Sequence, residues 1–191
     1  MNELSTKRFW EVRHQIFNGD LLLFRNGGLI PVAGRSVYSH AAMAGWWVGG
    51  GVDHLMCLEL RELRGGRAVT LISQVMRFPG RIDVYRPNLT ADQREKAFAA
   101  MRGKAGHDYN YWGLISTACL HLPGIRFFAK PDLSDLDILR GRHPEYCSQA
   151  VASAYRLGAG VDPVPNLNDR LTEPADLARS SLFSYLMTLV P

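Results

Sequence analysis

A single cysteine, Cys147, lies in "PEYCSQAVASAYRLGAG", residues 144–160. The run reads as a helix opening at Glu145 to Cys147 and ending near Gly158, placed as a C-cap glycine. A helix start carries unpaired backbone N–H groups and a partial positive charge. Both favour a thiolate, the form in which cysteine is a nucleophile. The same residue type also serves as a small buried hydrophobe. A cysteine nucleophile works with an imidazole base and a polar group that orients it. Of the six histidines, His40 stands out because "YSHAAMAG" is otherwise apolar, and a ring able to carry charge needs a reason to be there. A core histidine bonded to backbone is the alternative. Glu59 is the same oddity in "HLMCLELREL". If the two strands pair, Glu59 could accept from one ring nitrogen of His40, fixing the tautomer and raising the basicity of the other. A solvated face shared with Arg61 is the plainer reading of Glu59, and Glu62 has the opposite strand parity. His143, held extended before Pro144, is the second-choice base.

Other chemistries find less support. His54 and Cys57 have half-site spacing for zinc, but no second pair of that kind follows, so neither a metal nor a cofactor is expected. There is no phosphate-binding loop and no serine elbow. Of the three cysteines, Cys57 and Cys119 fall in apolar periodic segments and read as core. Reduced thiols and a cytoplasmic setting are the default, because the first twenty residues contain no apolar signal region; secretion, a phage particle or lysis would be the routes out. The net charge of +4 fits an anionic partner. The basic residues are scattered, so no nucleic-acid partner is expected. No apolar run reaches membrane-span length, and the tail "LFSYLMTLVP" reads as core packing.

These residues must be positioned by a scaffold, and the patterning supplies one. Residues 5–17 predict a short amphipathic helix capped by Ser5, with Phe9, Val12, Ile16 and Phe17 near one face. Leu21 to Phe24 form a compact apolar strand after a turn. "SVYSHAAMAGWWVGGG" is a strand ending in glycines. "HLMCLELREL" alternates, with Met56, Leu58 and Leu60 on one face and Cys57, Glu59 and Arg61 on the other. "RGG" turns into a further strand, "RAVTLISQVM", and "RIDVYRP" is another, so the first half reads as mostly antiparallel β. Thr90 and Gln93 make a capping box for a helix that groups Ala97, Phe98 and Met101. A helix from Asn110, an irregular stretch over 124–144 and a short helix near "PADLARS" complete an α+β chain. It divides into an N-terminal helix over 1–17 and one domain over 18–191.

Four pieces in order resemble a known family: "NGDLLLF" (18–24), "YSHAAMAGWW" with Glu59 downstream, "GHDYNYWG" (106–113) and "EYCSQAVASAYRLG" (145–158). The arrangement is similar to permuted NlpC-type cysteine peptidases of papain-like fold, the YiiX/YebB-like group, with lecithin:retinol acyltransferase-like proteins as cousins. The resemblance covers about residues 18–180, including "LTEPADLARS" as the family's closing element. It implies a permuted papain-like fold, an antiparallel sheet or barrel packed against helices. It also implies Cys147 as nucleophile, His40 as base and Glu59 as orienting group. Tyr109 matches a cleft-lining tyrosine, although Asp108 stands where the family has proline. Trp46 and Trp47 suit an apolar or sugar-stacking wall, with core packing as the alternative reading; Ser39 and Tyr146, beside the base and the nucleophile, join Trp46 and Tyr109 as expected substrate contacts. The implied substrate is an amide in a cell-wall peptide or an N-acyl lipid. Acyl transfer and a non-catalytic envelope- or phage-associated binding module are the rival readings.

Overall fold

The computed structural model describes residues 5–25, 37–49, 51–61, 64–106 and 145–191. Its centre is a seven-stranded sheet made of β1 (Thr6–Arg8), β2 (Asp20–Arg25), β3 (Tyr38–Gly49), β4 (Val52–Arg61), β5 (Gly65–Thr70), β6 (Arg81–Pro87) and β7 (Phe183–Val190). The spatial order is β1-β7-β6-β2-β3-β4-β5. Every neighbouring pair is antiparallel except β1 and β7. The sheet is therefore mixed and not purely antiparallel, because the first strand is laid along the last.

Both faces of the sheet are covered. Leu21 and Leu23 of β2 face one core while Leu22 and Phe24 face another, which is why this strand is written as an unbroken apolar run. The first face packs against α3 (Ala91–Arg102), α4 (Cys147–Ala154) and α5 (Pro174–Arg179), through Phe98, Met101, Val151 and Leu177. The second packs against α1 (Phe9–Val12) and α2 (Leu71–Arg77), through Phe9, Val12, Leu71 and Val75. This is an α+β arrangement with helices on both faces of one sheet. Among the described residues no helix is long and apolar enough to cross a membrane. The tail packs as the pattern requires, with Phe183, Met187 and Leu189 of β7 buried.

Local expectations fare unevenly. The capping box of α3 forms, with Gln93 N–H donating to Thr90 Oγ1 at 3.2 Å and Thr90 N–H to Gln93 Oε1 at 3.0 Å. The predicted helix over 5–17 is instead β1, then α1 and a 3₁₀ turn over Arg13–Gln15. Phe9, Val12 and Ile16 are buried there but Phe17 is exposed. Pairing with the open edge of β7 takes Thr6–Arg8 out of the helix, so Ser5 is no cap and Arg8 occupies that position. "RAVTLISQVM" is a strand only as far as Thr70. Leu71–Arg77 is helical and places Leu71 and Val75, spaced i and i+4, in the second core. Gly158 is not the C-cap either. The helix continues as a π turn over Tyr155–Ala159, and Gly160 takes the left-handed cap at φ 69°. Gly158 is glycine because α3 passes close by: a Cβ would lie 2.7 Å from Ala97 Cα and nearer still to the Lys96 carbonyl. Gly158→Ala is therefore expected to cost about 1–3 kcal/mol through overpacking, read as a lowered midpoint in thermal or urea unfolding.

Candidate active site

Helix α4 is buried along its whole length, so its polar side chains need partners; among the described residues Gln149 Oε1 has none, while the two serines are satisfied. Ser148 Oγ donates to the Thr172 carbonyl at 2.6 Å, and Ser153 Oγ donates to Glu145 Oε1 at 2.8 Å. The other Glu145 oxygen takes Lys104 Nζ at 2.5 Å. This ties the entry of α4 to the turn that follows α3. The N-cap residue, Tyr146, makes no side-chain cap. In that first turn the Ser148 N–H is hydrogen-bonded to the sulfur of Cys147, the helix's first residue.

Strand β3 brings His40 to the same place. Phe24 opposes His40 and Arg25 opposes Tyr38, so Ser39 is an extra residue in the ladder with β2. A bulge of this kind re-aims the neighbouring side chain. Tyr38, on the other side of the bulge, is held by Asp83, with its hydroxyl donating to Oδ2 at 2.9 Å. The β3–β4 ladder runs from Gly49↔Val52 and ends at Met43↔Leu58. Had it continued, Ala42 would oppose Glu59, with His40 one diagonal step away on the same face. At this point the Ala41 N–H hydrogen-bonds the Cys147 sulfur, as does the Ser148 N–H.

The three candidates meet here. His40 Nε2 lies 2.6 Å from Glu59 Oε2, leaving Nδ1 as the ring nitrogen for the Cys147 sulfur, to which His40 is also hydrogen-bonded. Phe24 packs edge-on against the imidazole with ring centres 5.0 Å apart. Glu59 is 1% exposed, which removes the solvated-face reading. Its Oε1 accepts from Arg67 Nε at 2.8 Å and from a second Arg67 nitrogen, and Arg61 stands 3.9 Å away.

Electrostatics follow from these contacts. Burial disfavours charge on His40, but the Cys147 thiolate and then Glu59 outweigh it and push the ring up to about 9. Burial also resists ionisation of Cys147. The His40 cation and the Ala41 and Ser148 N–H groups overcome it and bring the thiol below its ordinary value. Glu59 is lowered likewise, with His40 and Arg67 overcoming its burial. The set therefore favours a thiolate–imidazolium pair backed by a carboxylate.

The other expected contacts fall elsewhere. Trp46 is six residues along β3 from His40, about 20 Å at strand rise, and its Nε1 donates to the Ile16 carbonyl at 2.8 Å. It packs on the second core and does not line this site; exposed Trp47 lies farther out still. Tyr146 is 3% exposed, and its hydroxyl donates to the Arg170 carbonyl, so it anchors the helix start within the core. Ser39 is exposed and donates to the Phe24 carbonyl at 3.3 Å. Tyr109, Cys119, His143 and the helix expected from Asn110 lie outside the described residues, as does Glu62. His54 is exposed while Cys57 is buried, so the strand separates that zinc half-site. Arg67 is the residue that sequence reasoning missed. Its signal is a cross-strand one, since it pairs directly with Glu59 across the β4–β5 hairpin.

No family model matches the chain, and no curated protein matches it in sequence.

Proposed function

We propose that the chain is a cysteine hydrolase that cleaves an amide bond, with Cys147 as nucleophile, His40 as base and acid, and Glu59 as the group that orients His40. The reading is supported chiefly by one observation: a thiol on the first residue of a buried helix, hydrogen-bonded to an imidazole whose other nitrogen is 2.6 Å from a buried carboxylate. The permuted papain-like assignment rests on the motif order, His40 before Cys147, and on this contact set.

The steps follow from the roles. The Cys147 thiolate adds to the carbonyl carbon, and the developing oxyanion takes the Cys147 N–H at the helix start, a contact type worth about 3–4 kcal/mol. The C–N bond breaks as His40 gives its proton to the leaving amine. Water then adds to the acyl-thioester while His40 takes its proton, the C–S bond breaks, and the thiolate–imidazolium pair is restored. A peptide or N-acyl amide, of cell-wall or lipid origin, is the substrate class. Assaying both amide types with and without added amines tests this directly. Free acid as the product supports hydrolysis, amine-bearing product would replace it with acyl transfer, and absence of turnover in every case favours a binding module.

Two outcomes follow. Turnover should be bell-shaped in pH, falling on the alkaline side near 9, where His40 loses the proton it must donate. Glu59→Gln should cut turnover about 10–100-fold and draw that alkaline limb downward, because the imidazolium loses its carboxylate partner. A pH–rate profile of wild type and variant checks both.

A further inference from the structure

The hydrolase reading uses Cys147, His40 and Glu59 but gives no role to the guanidinium behind them. Glu59 is 1% exposed and 2.6 Å from His40. In so dry a place a carboxylate and an imidazole have two ways to share one proton: as an ion pair, or as a neutral acid beside a neutral ring. Only the first gives the Cys147 thiolate a counter-ion. A further charge must tip the balance, and Arg67 is placed to do so.

We propose that Arg67 is a fourth, positioning member of the site: by holding Glu59 Oε1 with two N–H donors, it leaves Oε2 alone to face His40 and keeps the shared proton on the ring. The inference rests on the cysteine-hydrolase reading and adds to it the group that sustains the resting charge state. From Arg67 through Glu59 and His40 to Cys147 the charges alternate plus, minus, plus, minus, and they sum to zero. Removing the guanidinium leaves a buried net charge of minus one, which binding of a proton would cancel. Every proton-binding group in reach then titrates at higher pH, and the thiolate forms later.

Arg67 is the arginine that matters. Its side chain is 19% exposed, and two of its nitrogens contact Glu59 Oε1. Arg61 is 41% exposed, sits at 3.9 Å and donates to Gln74 Oε1 at 3.4 Å. Among the described residues, the charged and titratable groups facing His40 are Glu59 from β4, with Arg61 and Arg67 behind it, and Cys147 from α4. The hairpin explains the geometry, since Arg67 opposes Glu59 directly and both side chains point to one face of the sheet.

The experiment is the rate of iodoacetamide alkylation of Cys147 against pH, for wild type, Arg67→Gln and Arg67→Lys, with thermal melting of each as the folding control. Wild type should show two inflections, a lower one where the thiolate forms and an upper one where His40 loses its proton. In Arg67→Gln both inflections should move up by about half a unit or more, so that the alkylation rate below the lower inflection falls by about threefold or more. In Arg67→Lys, which keeps the charge, both should stay near their wild-type positions. A folded Arg67→Gln with unmoved inflections overturns the proposal and reduces Arg67 to a structural residue. Should the glutamine variant not fold, the lysine variant decides: inflections moved up despite the retained charge overturn the proposal, and unmoved ones support it. An ordinary single thiol titration in wild type overturns the hydrolase reading itself, and the Arg67 role with it.

Discussion

Cys147→Ala is expected to reduce turnover to background, a loss on the order of 10⁵–10⁶-fold where a nucleophile is removed outright, while the protein still unfolds cooperatively. The two halves of that result have separate causes. The side chain supplies the attacking sulfur, and nothing else within the hydrogen-bonded set can form the acyl intermediate. Its structural contribution is small by comparison. Alanine is the best helix former, it suits a helix already built on Ala150, Ala152 and Ala154, and the anchors at Ser148, Ser153 and Glu145 are untouched. Turnover and melting on the same preparation check it. Loss of the fold would make Cys147 a packing residue, and retained turnover would remove it from the chemistry.

The second large effect belongs to His40. His40→Ala should lower turnover by about 10⁴-fold, the range for losing a group that serves as both base and acid. It acts twice, since the substitution removes the proton donor for the leaving amine and the cation that holds the thiolate. Among the described residues, the two backbone N–H groups of Ala41 and Ser148 are then what opposes the burial of Cys147, so the thiol shifts upward and less of it is ionised at neutral pH. Activity that survives in His40→Ala, or is carried by another histidine, would take this ring out of the mechanism.

Much of this site is legible in the chain because its members break local patterns. His40 and Glu59 are polar intrusions in apolar strands, and a buried ionisable group needs a partner. The alternation of β4 places Leu58 and Leu60 in one core and Cys57 in the other. The capping box of α3 is visible for the same local reason, since its two residues satisfy each other within one turn.

What could not be read depends on distant neighbours. Thr6–Arg8 has helical surroundings in sequence, but its fate is set by the free edge of a strand at the far end of the chain, where Thr6 pairs with Thr188. "TLISQVM" fits either period, and the second core decides in favour of a helix through Leu71 and Val75. Gly158 looks like a cap until α3 is laid against it. Trp46 sits on the same strand as His40, yet its indole is committed to Ile16 at the far end. Arg67 opens the strand "RAVTLISQVM" directly after the "RGG" turn, where a lone arginine gives no sign of its partner. Only the register of the hairpin turns that arginine toward Glu59.

The activated Cys147–His40 pair is tested most directly by the alkylation rate of Cys147 against pH, in wild type and in His40→Ala. The predicted result is a wild-type thiolate that forms well below the ordinary thiol value of about 8.5, moving up when His40 is removed. A thiol that titrates at the ordinary value, or fails to react, equally in both proteins would contradict it.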